Sequence, residues 1–234
     1  MTAINIPNDI SSPSPRVIDI WQIALDIPVT DKRSLILTLD KEETERYQKR
    51  QNRLQSSYLI SHAACRQILA HYLKLTAAEI KYKKNQHGKP LLDHKTSLNF
   101  NMSHSRDKAI IAVTSDSIVG VDVEYSDKKN SWEKIVPRYF HPDEINYLLA
   151  QPKDRQKQTF FQIWTRKEAF IKAIGTGFAT SLTSFSVIEQ MIGYPVNSST
   201  TSEYWYQQDL EINSPYIASV VQNTLIEKIR YYSY

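Results

Sequence analysis

Cysteine is nearly absent from this 234-residue chain, with one residue, Cys65, and so no disulfide can form within it. The thiol falls inside a helical pattern, SYLISHAACRQILAHYL, and reads as a small buried apolar group rather than a reactive one. Long apolar runs are missing too. No stretch nears the roughly 18 apolar residues that span a bilayer, and MTAINIPNDISSPSP has neither a basic nor an apolar leader segment. The expectation is a globular protein of the cytoplasm, its 41% hydrophobic content sufficient for a core. Charge of one sign is scarce in the second half: residues 1–118 hold 17 Lys and Arg against 12 Asp and Glu, and residues 119–234 hold 12 against 13. An anionic partner is better served by the first half, and a cation by the second.

Residues 1–15 read as a loose leader, followed by a first half over 16–118 and a second over 119–234. Strands are expected at Val17–Leu25, Leu98–Ser103, Ala109–Val113, Ile118–Glu124, Ser184–Val187 and Tyr216–Val221. Helices are expected at Asp40–Lys49, at Leu54–Leu73, from His141, and from about Gln156 to Ile174 before a Gly175 cap. Mixed runs without strict strand-helix alternation favour α+β. The Ser/Thr-rich tract Asn197–Glu203 reads as a surface loop.

Three places carry candidate chemistry. In IVGVDVE, period two sets Val119, Val121 and Val123 on one face and Gly120, Asp122 and Glu124 on the other. The two carboxylates, with Cα atoms about 6.5–7 Å apart, suit a hard cation such as Mg²⁺. A polar stripe on a half-exposed strand is the plainer account. In QTFFQIWTRKEAFIKAIGTGF, apolar residues surround most of a helix, so it is largely buried. Glu168 and Lys172 on it are either an i,i+4 structural pair or a third ligand beside a phosphate-binding lysine. Gly175-Thr176-Gly177 lacks the preceding strand that a dinucleotide fingerprint requires. In NQHGKPLL and NFNMSHS, Lys89 and His104 are either anion donors or ordinary surface groups. Arg46, Lys49, Arg50 and Arg53, at helical spacing, are either a solvated face or a phosphate contact.

GKP at 88–90, NMSHS at 101–105, GVDVE at 120–124 and WTRKEAFIKAIGTGF at 164–178, in that order and spacing, resemble the signature set of Sfp-type 4'-phosphopantetheinyl transferases. The resemblance covers roughly residues 17–190. It implies a monomer of two similar α+β halves related by a pseudo-twofold axis, with coenzyme A in the cleft between them. It implies Mg²⁺ on Asp122, Glu124 and Glu168, and coenzyme A contacts from Lys89, Pro90, Ser103, His104, Asp122 and Lys172. Arg53 and its neighbours from Arg46 correspond loosely to a region that touches the 3'-phosphate. Trp164 and Lys167 match motif positions without a defined role. The implied reaction moves phosphopantetheine to a serine of an apo acyl or peptidyl carrier protein, with Glu168 or a metal-held water taking the serine proton and Lys172 countering phosphate charge. Lys128, Lys129, Lys134 and Arg138 would meet an acidic carrier helix. A nucleic-acid module is disfavoured, because basic residues are not interleaved with stacking aromatics. No membrane partner is expected. A Mg²⁺-dependent coenzyme A hydrolase would share these contacts but transfer to water.

Overall fold

The structure, a computed structural model, describes residues 10–28, 31–127, 131–195 and 202–234, with the side chains of Arg53, Phe178, Tyr194, Pro195, Ser202 and Glu203 outside that description. Its elements in chain order are β1 (Val17–Ala24), α1 (Lys32–Ile36), α2 (Lys41–Gln48), α3 (Asn52–Leu73), β2 (Tyr82–Lys84), β3 (Pro90–Leu92), β4 (Leu98–Ser105) and β5 (Lys108–Ser115). Then follow β6 (Val119–Tyr125), α4 (Trp132–Tyr139), α5 (Pro142–Leu149), α6 (Lys153–Ile174), β7 (Met191–Pro195), β8 (Ser202–Asp209), β9 (Tyr216–Gln222) and β10 (Lys228–Ser233). The architecture is α+β. One sheet has the order β10-β1-β5-β4 and the other β6-β9-β8-β7, with β2-β3 a separate hairpin.

Side-chain alternation stacks these elements in four layers. Trp21, Ile23, Ala109, Ile111 and Val113 face Ile60, Ala64, Ile68 and Leu69 of α3. The opposite faces of β1 and β5, through Ile18, Ile20, Ile110 and Ala112, meet Val119, Val121, Val123, Ala218 and Val220 of the second sheet. Beyond that sheet, Val221 and Trp205 pack with Phe161, Phe170 and Ala173 of α6. A helix of 22 residues thus closes each outer side.

The strands β4 and β6 are the facing edges of the two sheets, and side chains join them where a backbone ladder would otherwise run. Asn101 Oδ1 accepts the Val121 N–H at 2.9 Å, Ser103 Oγ the Val123 N–H at 3.4 Å, and Ser105 Oγ the Tyr125 N–H at 3.1 Å. The polar alternation of NFNMSHS, which reads as a solvent face, is this seam. It satisfies edge donors that would otherwise be buried and unpaired.

Helix ends follow the sequence signals. Asp40 and Glu43 form a capping box at α2, His141 and Glu144 another at α5, and Gly175 ends α6 at φ +69°. Four expectations need correction. Ser184–Val187 is not a strand: a 3-10 turn occupies Leu182–Ser184, the Val187 N–H goes to Glu144 Oε1 at 2.9 Å, and the Phe185 carbonyl accepts from Lys167 at 2.9 Å, so side chains take the bonds a strand would make. The leader is not loose over residues 10–15, since Ile10 enters the first core and the Ser11 carbonyl accepts from Arg230 at 2.9 Å. Residues 1–9, and 197–201 of the expected loop, lie outside the described residues; Ser202 and Glu203 begin β8. Finally, β10 leaves the second half and pairs in parallel with β1, held by Arg230 on buried Asp19 at 2.5 and 2.7 Å.

Candidate active site at the seam between the sheets

Glycine at position 120 sets how closely α6 lies on β6. A Cβ there would stand 2.1 Å from the Ala169 carbonyl oxygen and 2.3 Å from the Ala173 nitrogen, so only glycine admits this approach. The contact brings the α6 face bearing Glu168 and Lys172 alongside the β6 face bearing Asp122 and Glu124. Lys172 Nζ then lies 2.7 Å from Asp122 Oδ1 and 2.8 Å from Ser103 Oγ, and Ser103 Oγ–H donates to the same Asp122 oxygen at 2.8 Å. Ser105 donates to Glu124 Oε2 at 3.0 Å.

The other Asp122 oxygen, Oδ2, is buried with no hydrogen-bond partner among the described residues. Burial raises the Asp122 pKa against the pull of Lys172 and Ser103, and Glu124 adds to the rise. Glu168 is raised as well, first by burial and then by the charges of Asp122 and Glu124. The three carboxylates therefore sense one another. Among the described residues no three acidic, His or Cys side chains converge as a ready ligand set. Mg²⁺ needs only a few protein oxygens, and the orphaned Oδ2 beside mutually repelling carboxylates is the donor set a hard cation fits.

Two cavities meet here. The larger, of about 450 Å³, is lined by Glu168, Lys172 and Gly175 together with Glu42, Glu43, Arg46, Lys84 and His87. The smaller, of about 320 Å³, holds His104, Asp122 and Glu124, and shares Met102 and Lys172 with the first. The residues expected on coenzyme A are thus divided. Lys89 and Pro90 line the larger cavity, Ser103, His104 and Asp122 the smaller, and Lys172 both.

Lys89 is not the solvated lysine of the plainer sequence reading: its ammonium donates to the Val119 carbonyl at 3.0 Å and the Ala173 carbonyl at 2.8 Å, and burial pushes its pKa down to about 8. Arg46 is exposed and shares Glu42 with Lys84. The Arg53 side chain, Lys128 and Lys129 lie outside the described residues.

Lys167, adjacent to Glu168, has a different task. It is fully buried, 2.7 Å from equally buried Glu144, which also accepts the His141 N–H at 2.8 Å. Burial, offset in part by Glu144, lowers the Lys167 pKa to about 8. The one motif thus has a structural lysine turned inward and a chemical pair turned to the cleft. Sequence reasoning missed Asn101, Ser105 and Glu144; the N-x-S-x-S period and the His141–Glu144 spacing were the available signals. Cys65 is buried as expected, its thiol pushed by burial up to about 12.

A buried carboxylate group beside a lysine thus stands where two cavities adjoin. Comparison with known proteins places the chain in a family. Residues 118–221 match the model of the 4'-phosphopantetheinyl transferase superfamily, and residues 29–116 match that of the 4'-phosphopantetheinyl transferase N-terminal region. The chain is 32% identical to the 4'-phosphopantetheinyl transferase HetI of Nostoc sp. over 69% of this chain and 70% of that protein. It is 31% identical to the transferase Sfp of Bacillus subtilis over 72% of this chain and 75% of that one, and 32% identical to ffp of Bacillus subtilis over the same shares. The chain belongs to the 4'-phosphopantetheinyl transferase superfamily. No helix among the described residues is long and apolar enough to cross a membrane.

Proposed function

We propose that this protein transfers the 4'-phosphopantetheine arm of coenzyme A to a serine of an apo acyl or peptidyl carrier protein, acting as a monomer in the cytoplasm. Family membership supports the reading, and the observation that carries it is the Asp122–Lys172–Glu168 group at the junction of two cavities, with Asp122 Oδ2 unpaired. In the reaction, the serine Oγ bonds to the β-phosphorus of coenzyme A. The bond from that phosphorus to the bridging oxygen breaks, and 3',5'-ADP departs with the electron pair.

Asp122, Glu124 and Glu168 are the residues that would hold Mg²⁺, which when bound supplies positive charge to the diphosphate oxygens. Lys172, 29% exposed in its side chain, reaches the cleft from Asp122 and would meet the same oxygens as charge grows on the leaving group. Glu168, or a water held by the metal, would take the serine proton, and burial and acidic neighbours make the Glu168 carboxylate a stronger base than an exposed glutamate. His104, on the rim of the smaller cavity, would bind phosphate rather than take part in bond making. Lys134 and Arg138, on or beside α4, offer positive charge to an acidic carrier helix.

Incubation with coenzyme A and a panel of purified apo carriers, followed by intact mass, tests the reading. Carriers should gain one phosphopantetheine, with 3',5'-ADP released only when a carrier is present. Release at the same rate without a carrier would make the protein a hydrolase instead.

A further inference from the structure

The β2–β3 hairpin belongs to neither four-stranded sheet, yet it reaches the two elements that carry the site. Its turn is stiff. Asn85 Oδ1 accepts the backbone N–H groups of His87 and Lys89, each at 2.9 Å, and Gly88 at φ +87° closes the loop with its N–H on the Asn85 carbonyl at 3.0 Å. From this turn two donors cross to the end of α6. Asn85 Nδ2 meets the Gly175 carbonyl at 2.8 Å, and Lys89 Nζ meets the Ala173 carbonyl at 2.8 Å while also holding the Val119 carbonyl at 3.0 Å. The fit leaves no slack: a Cβ on Gly175 would stand 2.8 Å from Asn85 Nδ2 and 3.0 Å from Lys89 Cδ.

The chemistry of a helix end explains why a lysine stands here. The last carbonyls of α6 have no partner within the helix and carry partial negative charge, which an ammonium satisfies on both counts. Val119 begins β6 three residues before Asp122, and Ala173 follows Lys172 directly. One ammonium thus ties the strand that bears Asp122 and Glu124 to the helix that bears Glu168 and Lys172. We infer that Lys89 is a positioning residue of this site, clamping the end of α6 to the start of β6 so that Lys172 and Glu168 keep their register with Asp122. This rests on the transferase reading above, and it gives Lys89 a role beside the phosphate contact its sequence motif implies, because two of its three ammonium donors are held by carbonyls.

Lys89→Met keeps the apolar stem and removes the ammonium. With coenzyme A and dephospho-coenzyme A as donors, kcat should fall about ten- to a hundred-fold, as misplaced reacting groups cause. Loss of the clamp alone leaves KM, and the preference between the two donors, as in the natural protein. Hydrogen exchange should quicken in the last turn of α6. Asn85→Ala loosens the same clamp by freeing the Lys89 and His87 backbone N–H groups while keeping the Lys89 ammonium, so it should shift kcat and exchange in the same direction by less, and it serves if Lys89→Met does not fold. A loss of preference for coenzyme A over dephospho-coenzyme A without quicker exchange at α6 would overturn the inference in favour of a phosphate contact alone, and unchanged kcat in folded Lys89→Met would overturn it outright. If the natural protein transfers to no carrier while both variants still quicken exchange at α6, the transferase reading is at fault and the clamp stands.

Discussion

Two acidic groups border the cavities, one around Glu43 beside the larger and the other around Asp122 where the smaller adjoins it, and they differ in how completely they are paired. At the first, Arg66 is fully buried and divides its guanidinium between Glu43 Oε2 at 2.5 Å, Asp40 Oδ2 at 2.6 Å and the Ile80 carbonyl at 2.8 Å, while His62 Nδ1 lies 3.0 Å from Glu43 Oε1. Burial acts to raise the Glu43 pKa, but His62 and Arg66 outweigh it and the net direction is down. At the second, Lys172 and two hydroxyls meet Asp122 and Glu124, Asp122 Oδ2 has no partner, and the net direction for Asp122 and Glu168 is up. Similar side chains at similar depth thus hold opposite electrostatic states. A structural acidic group comes with its cations built in; one that must receive a charged ligand leaves part of its demand unmet.

The largest effect should come from unpairing the first group. Arg66→Met leaves Glu43 and Asp40 facing a buried apolar chain, and removing one partner of such a pair costs about 3–5 kcal/mol. Thermal and urea unfolding should show this loss. A change below about 1 kcal/mol would mean that the Arg66 network does not hold α2 on α3, and the contrast would fail at its structural end.

The second group should answer in the opposite way. Glu168→Gln keeps shape and removes charge, so kcat should drop by about two orders of magnitude or more while the metal-free protein becomes no less stable. The pH dependence carries the sign. Because the folded-state pKa of Glu168 is raised above its ordinary 4.5, the folded protein holds a proton that the unfolded chain releases. Its contribution to stability is therefore full below that value and is lost as pH rises through the raised folded one. Melts of the metal-free protein across mild acid should show that decline, and Glu168→Gln should flatten it. Near-normal turnover in folded Glu168→Gln would remove the proposed chemistry from this residue.

The sequence displayed these two groups unequally. GVDVE and WTRKEAFIKAIGTGF could be read because period two and period 3.6 put their acidic groups on definite faces, and the Gly175 cap ended the helix where expected. Nothing in period or composition told that Lys167 turns inward to Glu144 while Glu168 turns to the cleft, since both lie on a helix apolar nearly all round. The two carbonyls that Lys89 holds were not legible either. A lysine beside Gly88 and Pro90 looks exposed in sequence, and only the tertiary approach of α6 buries it. The first acidic group was hardly legible: Asp40 signalled a helix cap, but its partner Arg66 is 26 residues away on another helix. The strand β10 lacked a visible partner because its pairing with β1 joins opposite ends of the chain.

The smallest effect separates the cations beside the two groups. Arg46, beside the first group, is exposed and already paired with Glu42 at 2.6 Å, an i,i+4 contact that solvent screens. Its loss should change KM for coenzyme A by no more than about two-fold, since solvent screens its charge and Glu42 already partners it. His104, exposed beside Asp122 and Glu124 in the smaller cavity, is the better placed to meet the phosphate that distinguishes coenzyme A from dephospho-coenzyme A. A hydrogen bond to a charged group is worth about 1.5–3 kcal/mol when sheltered, and exposure reduces that. His104→Ala should therefore raise KM for coenzyme A about three- to ten-fold and raise it less for dephospho-coenzyme A. Steady-state assays of both variants with both donors measure the difference. An equal rise for the two donors in His104→Ala, with a selective one in Arg46→Ala, would move the nucleotide's extra phosphate to the first group and reverse the orientation proposed for the donor.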